Sequence, residues 1–470
     1  KSQRIPNNAM KRIIYIAADY LSTIAGVLAF TSVRFLFVAD IRERYAEMAA
    51  FFASPGLRLT LALFPLFMLG LYYLSGYYVK VTSKSRVTEF LSTLVSVGLG
   101  AFAFFMVVLL NDVLPQRRLN YEILLLFFVC LFVPVYLTRL IVTSVFKARD
   151  RKPGGEGVVV IAGTDGKAGD VAEVMRRSDK SVSSILRLDS SGRSEDGRPV
   201  GSDILRDELR RAGADAFVVA LPPDNPGLSL HVLGCLYPLD RPIYISPDDY
   251  TLLVSKVTYD NLLSEPLMDI SRSSLPDSVV AMKRAADVAG SLVGLVITAP
   301  VIAVLAMMVK MSSAGPAFYS QERIGYHRKP FRIYKLRTMT VDAETDGPAL
   351  SADDDPRVTP LGRVMRKYRL DELPNLWNVL RGDMSLVGPR PEREFYLSRL
   401  RLLAPHCALL HQVRPGLTSL GMVKFGYASS LDDMVARLKY DLLYIQNISV
   451  SLDLKVIFYT VRTIFRGEGK

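Results

Sequence analysis

Four apolar stretches, at about residues 13–38, 57–79, 90–110 and 121–146, each approach the roughly 20 residues that a helix needs to cross a bilayer. No other feature restricts the fold as strongly, because a spanning segment must satisfy its backbone polar groups internally and is therefore helical. Lys and Arg gather before the first stretch (Arg4, Lys11, Arg12), between the second and third (Lys80, Lys84, Arg86) and after the fourth (Lys147, Arg149, Arg151, Lys152). The positive-inside rule then puts both ends of a four-helix transmembrane bundle, residues 1–150, in the cytoplasm. A basic start followed by an apolar run can imitate a signal peptide, but this run is too long and leads straight into further spans, so we read it as retained. Asp19, Arg34 and Arg139 lie within or near the ends of spans, where snorkelling or interhelical pairing accounts for them at lower cost than a transport path. Because position 1 is a lysine, a few residues are expected to precede it.

At 470 residues, half of them apolar, the chain is longer than one ordinary domain and reads as a membrane protein with a soluble portion. The net charge of +12 suits a protein that lies against anionic lipid and handles phosphorylated substrates. Nucleic acid competes for such a charge, but the basic residues are spread along membrane flanks without a basic-aromatic module, which argues against it. Cys130, Cys235 and Cys407 lie too far apart for a disulfide framework or a zinc site. The four histidines lack ligand spacing, and His406 and His411 read as surface or packing residues.

Residues 151–265 change to short apolar runs alternating with helical patterns. Strands are expected at 157–162, 183–188, 216–221 and 241–246, and helices from near Gly169, Asp203 and Gly227. That alternation implies a parallel sheet and a Rossmann-like domain, followed by a linker at 266–282. Gly163, Gly166 and Gly169 after the first strand, with Asp189 ending the second, resemble a dinucleotide fingerprint, but the spacing is G-x-x-G-x-x-G. Turn glycines account for it more simply.

Residues 368–391 read YRLDELPNLWNVLRGDMSLVGPRP and carry the chemistry. Leu370, Leu373, Leu376, Trp377 and Leu380 recur at helical steps and are expected to share one core-facing side. Pro374 fits only the first turn of such a helix. Asp371 then sits at a helix N-terminus, where the dipole is expected to keep a carboxylate ionised and free amides face an approaching phosphate. This suits a carboxylate nucleophile, although a simple cap would also place an aspartate there. Arg390, held between Pro389 and Pro391, presents a planar guanidinium suited to bidentate phosphate contact, with a solvated arginine on a rigid turn as the alternative. Lys335, Arg337 and Arg366 are further candidates for phosphate contact, and Arg414 is a candidate for that role or for bracing the turn at Pro415 and Gly416.

A fifth apolar segment, at about 285–311, is long enough to span. Lys283 and Arg284 precede it and Lys310 and Arg323 follow, which favours both ends on one face. Pro300 at its midpoint removes a backbone hydrogen bond, so the helix is expected to dip in and return. Basic residues interleave with apolar ones around Val364, Met365 and Tyr368 and again at Leu454, Ile457, Phe458 and Ile464, the pattern of helices lying in a membrane interface.

Five motifs occur in one order: Lys283-Arg284-Ala-Ala-Asp287, Gln321-Glu322-Arg323-Ile-Gly325, Tyr334-Lys335-Leu-Arg337-Thr338-Met339, the Asp371-Glu372 stretch, and Val413-Arg414-Pro415-Gly416-Leu-Thr418. Together they resemble the bacterial sugar transferase family, the monotopic phosphoglycosyl transferases, over about the last 190 residues. The N-terminal part resembles, through architecture, the long members that act as undecaprenyl-phosphate galactose or glucose phosphotransferases. The resemblance implies a mostly helical catalytic domain at 283–470, attached to the membrane helices and the α/β domain. It implies transfer of a sugar-1-phosphate from a UDP-sugar to a polyprenyl phosphate, with Asp371 as nucleophile, a phosphosugar held on its carboxylate, and UMP released. A carboxylate approaching a diphosphate needs a counter-charge, for which Mg²⁺ is the usual partner, and Glu372 matches the family's coordinating residue. Lys283, Arg284 and Asp287 match residues that meet the polyprenyl phosphate, and Pro300 matches the kink of a re-entrant helix, with Ala299 where serine is usual. The family also implies the bacterial inner membrane, a cytoplasmic active site, a role at the first membrane step of exopolysaccharide, capsule or O-antigen synthesis, and, from its longer members, a homodimer. After Thr418 the chain reads Ser419-Leu420-Gly421-Met422 where many members have Gly-Trp-Ala-Gln, which leaves the sugar open. Two rival classes remain at this point. A channel or transporter regulated by the α/β domain leaves the last third of the chain without a task; a non-catalytic scaffold predicts that Asp371→Asn preserves function.

Overall fold

The computed structural model describes residues 8–37, 42, 45, 47–79, 86–111, 117–150, 156–163, 180–194, 197–221, 225–236, 239, 241–245, 268–269, 275–341, 343, 347 and 355–466. The chain divides into two compact units, Lys1–Lys152 with Pro276–Lys283, and Pro153–Leu275 with Arg284–Lys470.

In the first unit the apolar stretches are helical: α1 (Asn8–Phe37), a short α2 (Met48–Phe52), α3 (Pro55–Leu74), α4 (Arg86–Asn111) and α5 (Arg117–Asp150). Tyr15, Phe30, Phe64, Met68, Phe127 and Leu131 join the long helices in one core. The outward faces stay apolar, with Leu63, Leu66, Val95, Leu99, Leu125, Leu137 and Ile141 exposed. Such surfaces suit lipid rather than water, and five described helices are long and apolar enough to cross a bilayer. This is a membrane protein. Where α1 meets α5 the backbones nearly touch: a Cβ on Gly26 would lie 2.9 Å from Leu131 Cα and Cys130 O. Close approach through small residues is how helices associate in a medium that offers no hydrophobic drive.

The charges inside this unit are paired. Arg139 on α5 donates to both oxygens of Asp19 on α1, Nε to Oδ1 at 2.8 Å and Nη2 to Oδ2 at 2.9 Å, and its Nη1 donates to Thr93 Oγ1 at 2.8 Å. The guanidinium lies over the rings of Tyr77 and Tyr72, at 3.7 Å and 4.1 Å. Tyr78 adds a donor to Asp19, while Tyr77 and Thr143 donate to Glu89, a buried carboxylate that the sequence reading did not single out. Interhelical pairing is thus the fate of Asp19 and Arg139.

In the second unit β1 (Glu156–Gly163), β2 (Lys180–Leu188), β3 (Ala216–Ala220), β4 (Ile243–Ile245) and β5 (Met268–Asp269) form a sheet in the order β2-β1-β3-β4-β5, parallel except for β5. Val159, Ile161, Phe217 and Val219 face a core completed by α6 (Ser202–Ala212) and α7 (Pro226–Leu236). Val158, Val160, Ala216 and Val218 are buried on the other face. Burial on both faces explains why these strands read as continuous apolar runs. The helix expected near Gly169, with Gly166 and Gly169, lies outside the described residues. Asp189 Oδ1 accepts from Ser191 N and Arg193 N, so this carboxylate closes a turn.

The remaining elements of this unit begin with α8 (Asp277–Ser312), which runs through Pro300 as one helix and whose first residues belong to the other unit. A hairpin of β6 (Phe318–Ile324) and β7 (Pro330–Leu336) follows, then α9 (Pro360–Lys367), a 3-10 helix at Leu370–Asn375, α10 (Leu376–Arg381) and β8 (Ser385–Val387). The chain closes with α11 (Glu394–Leu403), β9 (Gly416–Thr418) paired parallel to β8, α12 (Leu420–Lys424), α13 (Leu431–Gln446) and α14 (Val450–Arg466).

Removing one partner of a buried ion pair strands the other charge, at a cost of about 3–5 kcal/mol, whereas removing both does not. Arg139→Leu is therefore expected to lower the unfolding midpoint of the detergent-solubilised protein markedly, and Asp19→Leu with Arg139→Leu to recover part of the loss. A single variant as stable as the parent would refute the pairing's role.

Candidate active site

The strand β7 supplies one wall. Its alternation sets Ile333 and Lys335, and just past its end Arg337, along one cavity of about 370 Å³, which Arg366, Asp371, Glu372 and Arg390 also line. The 3-10 helix and α10 are docked on this strand by polar side chains as well as apolar ones. Tyr334 N donates to Asn375 Oδ1 at 3.0 Å, and Asn378 Nδ2 donates to Arg332 O at 2.7 Å. The expected leucine-and-tryptophan face is met in part: Leu376 is buried and Leu370 packs with Leu336 and Met365, but Trp377 faces outward. Trp377 is 53% exposed, whereas Asp371, Glu372, Asn375 and Asn378 are buried, because the two asparagines satisfy backbone groups of the strand. Pro374 explains the tighter turn: it has no N–H to give, and the α-helix proper starts only at Leu376. At the other end Arg369 adopts φ 53°, a left-handed turn that lets α9 stop and brings Arg366 and Asp371 into the same cavity.

Glu372 is the electrostatic centre. Its Oε1 accepts from Lys335 Nζ at 2.6 Å and lies 3.4 Å from Arg390 Nη2. Burial works against its charge, yet Lys335, Arg390 and Arg369 hold its carboxyl well below the usual carboxylate range. Asp371 behaves oppositely. Burial pushes it up to about 6, against the pull of Lys335 and Arg366 and with the help of Glu372. Asp371 does sit in the first turn of a helix, a six-residue 3-10 one, and burial there works against the ionisation that a helix dipole favours.

Arg390 comes from the turn after β8, and the motif at 413–418 explains that turn. Gly416 N donates to Pro389 O and Gly388 N to Thr418 O, and a Cβ on Gly416 would lie 2.1 Å from Gly388 N. Only glycine lets the two backbones meet so closely. Arg390 Nη1 donates to Met422 Sδ at 3.2 Å, and its guanidinium lies 5.0 Å from the Tyr427 ring. Arg366 Nε donates to Thr338 Oγ1 at 2.9 Å.

Other predicted residues brace the frame. Arg284 donates to Val379 O and Leu380 O at 2.7 and 2.8 Å, and Asp287 Oδ1 accepts from Ser385 Oγ and Leu386 N. Arg337 lines the cavity, but its guanidinium donates to Ala314 O and Ser313 O at the end of α8. Arg414 Nε donates to Gly382 O at 3.0 Å. Lys283, Arg284, Asp287 and Arg414 are not among the side chains lining the cavity.

The sequence reading missed Glu392, Arg393, Tyr427 and Arg437, and took Arg323 only as a motif residue and a charge flanking the fifth apolar segment; all of these line the cavity. A signal existed for Arg437: it lies on α13 in the same buried stripe as Met434, Leu438 and Asp441, where a charge needs a partner. Tyr427 sits in a loop and carried no such sign. Among the described residues no three His, Cys, Asp or Glu side chains are grouped for a metal. Mg²⁺ does not require such a cage, because it takes one or two carboxylates and completes its shell with water and phosphate oxygens. Glu372, held ionised beside Asp371, fits that donor set.

Asn375→Leu leaves the partly buried Tyr334 N–H without this acceptor, at about 1 kcal/mol or more. A lower unfolding midpoint is expected, and an unchanged one would refute the docking described.

Residues 278–467 match the family model described as "Bacterial sugar transferase". The chain is 37% identical over 229 residues, 48% of its length and 53% of the relative's, to a UDP-N-acetylgalactosamine-undecaprenyl-phosphate N-acetylgalactosaminephosphotransferase of Aeromonas hydrophila. It is 33% identical over 268 residues, 57% of each chain, to a UDP-glucose:undecaprenyl-phosphate glucose-1-phosphate transferase of Klebsiella pneumoniae. It thus spans about half the length of these curated relatives. The match to the exopolysaccharide production protein PSS of Rhizobium leguminosarum bv. phaseoli is 36% identical over 198 residues, 40% of this chain and 98% of that one. With this coverage, and with the paired Asp371-Glu372 and Arg390 turns in one cavity, the chain belongs to the bacterial sugar transferase family.

Proposed function

We propose that the chain transfers a sugar-1-phosphate from a UDP-sugar to undecaprenyl or another polyprenyl phosphate, releasing UMP, as the first membrane step of bacterial exopolysaccharide, capsule or O-antigen synthesis. The observation that carries this reading is one cavity holding two adjacent buried carboxyl groups, one contacted by Lys335 and Arg390, within a wall of seven basic and three acidic side chains. A carboxylate made less acidic by burial is the better nucleophile of the two, and Asp371 takes that role. Its oxygen attacks the sugar-bearing phosphorus. The bond from that phosphorus to the bridging oxygen breaks, and UMP leaves with the electron pair. The lipid phosphate then attacks the same phosphorus and returns Asp371 to its carboxylate. Phosphoryl transfer depends chiefly on positioning and charge, which Lys335, Arg366 and Arg390 supply. Glu372 would hold Mg²⁺, whose charge, when bound, offsets that of the donor diphosphate.

The relatives' names supply the acceptor, and the sugars named differ, GalNAc in one and glucose in another, so the donor sugar is left to experiment. We read residues 1–150 as a four-helix transmembrane bundle, 151–265 as a Rossmann-like cytoplasmic domain, 266–282 as a linker and 283–470 as the catalytic domain, with the active site on the cytoplasmic face of the inner membrane. We read α8 as re-entrant because one frame holds both its ends: Arg284 and Asp287 tie its start to α10 and β8, and Arg337, just past β7, holds its finish. Between them, Gly294 sits against Leu376, and Leu305 and Val309 pack with Leu336 and Met365. A crossing helix would instead leave the frame at one end. Leu454, Phe458, Val461 and Phe465 form an exposed stripe on α14, as an interfacial helix requires.

Purified protein in lipid nanodiscs, given a panel of UDP-sugars, Mg²⁺ and undecaprenyl phosphate, is expected to release UMP with one donor class and to stop when EDTA is added. Asp371→Asn should abolish UMP release and the phosphosugar adduct seen by intact-mass measurement; full turnover in that variant would falsify the nucleophile. Arg390→Lys keeps the charge but loses the planar fork, and a fall in kcat/KM of about 10²-fold or more is expected with the unfolding midpoint retained.

A further inference from the structure

The cavity holds more positive charge than the reacting carboxylates engage. Arg323, at the end of β6, lines it together with Lys335 and Arg390. Its Nη2 donates to Gln321 Oε1 at 2.7 Å and its Nη1 to Pro391 O at 3.2 Å. Glu392 lies 3.6 Å from Nη1, beyond hydrogen-bond reach, because Arg437 of α13 takes the other oxygen of Glu392 at 2.5 Å. The Nε of Arg323 is buried and has no hydrogen-bond partner among the described residues. Burial lowers the pKa of this guanidinium, Glu392 only partly opposes that, and Arg390 and Arg393 add to it. One carboxylate is thus shared unequally between two arginines, and the one on the cavity wall receives the smaller share.

A buried cation in this state is stabilised by an anion that enters the cavity. The backbone decides which anion fits. Arg323 is bonded to the carbonyl of Pro391, the residue next to Arg390, so both guanidinium groups are tied to one rigid turn. Two arginines with a preset spacing match two linked phosphates better than one.

We propose that Arg323 is a second phosphate-gripping residue of the donor site, contacting the diphosphate oxygens of a nucleoside diphosphate sugar alongside Arg390. The inference rests on the transferase reading above. In it, Glu392 and Arg437 are positioning residues: their ion pair anchors the turn that carries Arg390 and keeps Arg323 short of negative charge.

The test uses the full chain in nanodiscs with Mg²⁺, comparing wild type, Arg323→Gln and Arg323→Lys. Equilibrium dialysis against labelled UDP reports the donor side, and the KM for undecaprenyl phosphate in the UMP assay reports the acceptor side. Losing a charged hydrogen-bonding group should raise the Kd for UDP by about tenfold or more in Arg323→Gln. Arg323→Lys, which keeps the charge and loses the fork, should fall between that variant and wild type, and the KM for the lipid should hold. Unchanged UDP affinity in Arg323→Gln, or a defect confined to the lipid KM, would overturn the proposal. If Arg323→Gln does not fold, Arg323→Lys decides: a raised Kd supports the assignment and an unaltered one refutes it. Wild-type protein that binds no UDP would sink the transferase reading, and this inference with it.

Discussion

One buried carboxylate holds three separate stretches of chain together. Glu372 draws Lys335 from β7 and Arg390 from the turn after β8 onto a single oxygen, while its own 3-10 helix is pinned to β7 by Asn375. A charge in that place is costly unless it is compensated, so each partner must arrive in register for the fold to close. The consequence reaches Asp371. The cations that keep Glu372 ionised are largely committed to it, and the neighbouring carboxyl is left to the effect of burial. Two adjacent acids thereby acquire different acidities from one set of surroundings.

The basic motifs around this centre divide by what their donors touch. Arg284 and Arg337 spend theirs on backbone carbonyls at α10 and at the end of α8, where helix ends leave acceptors unmet. Lys335, Arg366 and Arg390 keep theirs in the cavity. Arginine is suited to both tasks because its rigid fork can bridge two acceptors in either setting. The same residue type therefore serves the frame in one place and lines the cavity in another.

Apolar periodicity carried two meanings in this chain. In α1, α3, α4 and α5 it marked long helices whose outer faces stay apolar, and there a few polar groups, Asp19, Glu89 and Arg139 among them, gather inside. Around Trp377 it pointed the wrong way. The leucine-and-tryptophan spacing looks like a core stripe in water, but Trp377 is exposed while Asp371, Glu372, Asn375 and Asn378 are buried alongside Leu376. Near a membrane, the solvent for an exposed side chain need not be water, and a pattern read on that assumption can invert.

Local sequence determined the helical spans, the parallel strands and the grouping of motifs, because span length, strand alternation and glycine or proline turns act through the backbone near each residue. It also brought Asp371, Glu372, Lys335, Arg366 and Arg390 to notice as chemistry-bearing side chains. What only the tertiary structure decided was which of those cations would be consumed by carbonyls, how burial would split the two acids, and that Arg323, Glu392, Tyr427 and Arg437 would line the same cavity. Those outcomes depend on desolvation and on partners tens of residues away. Neither is encoded in spacing, and both appear only when the chain has closed on itself.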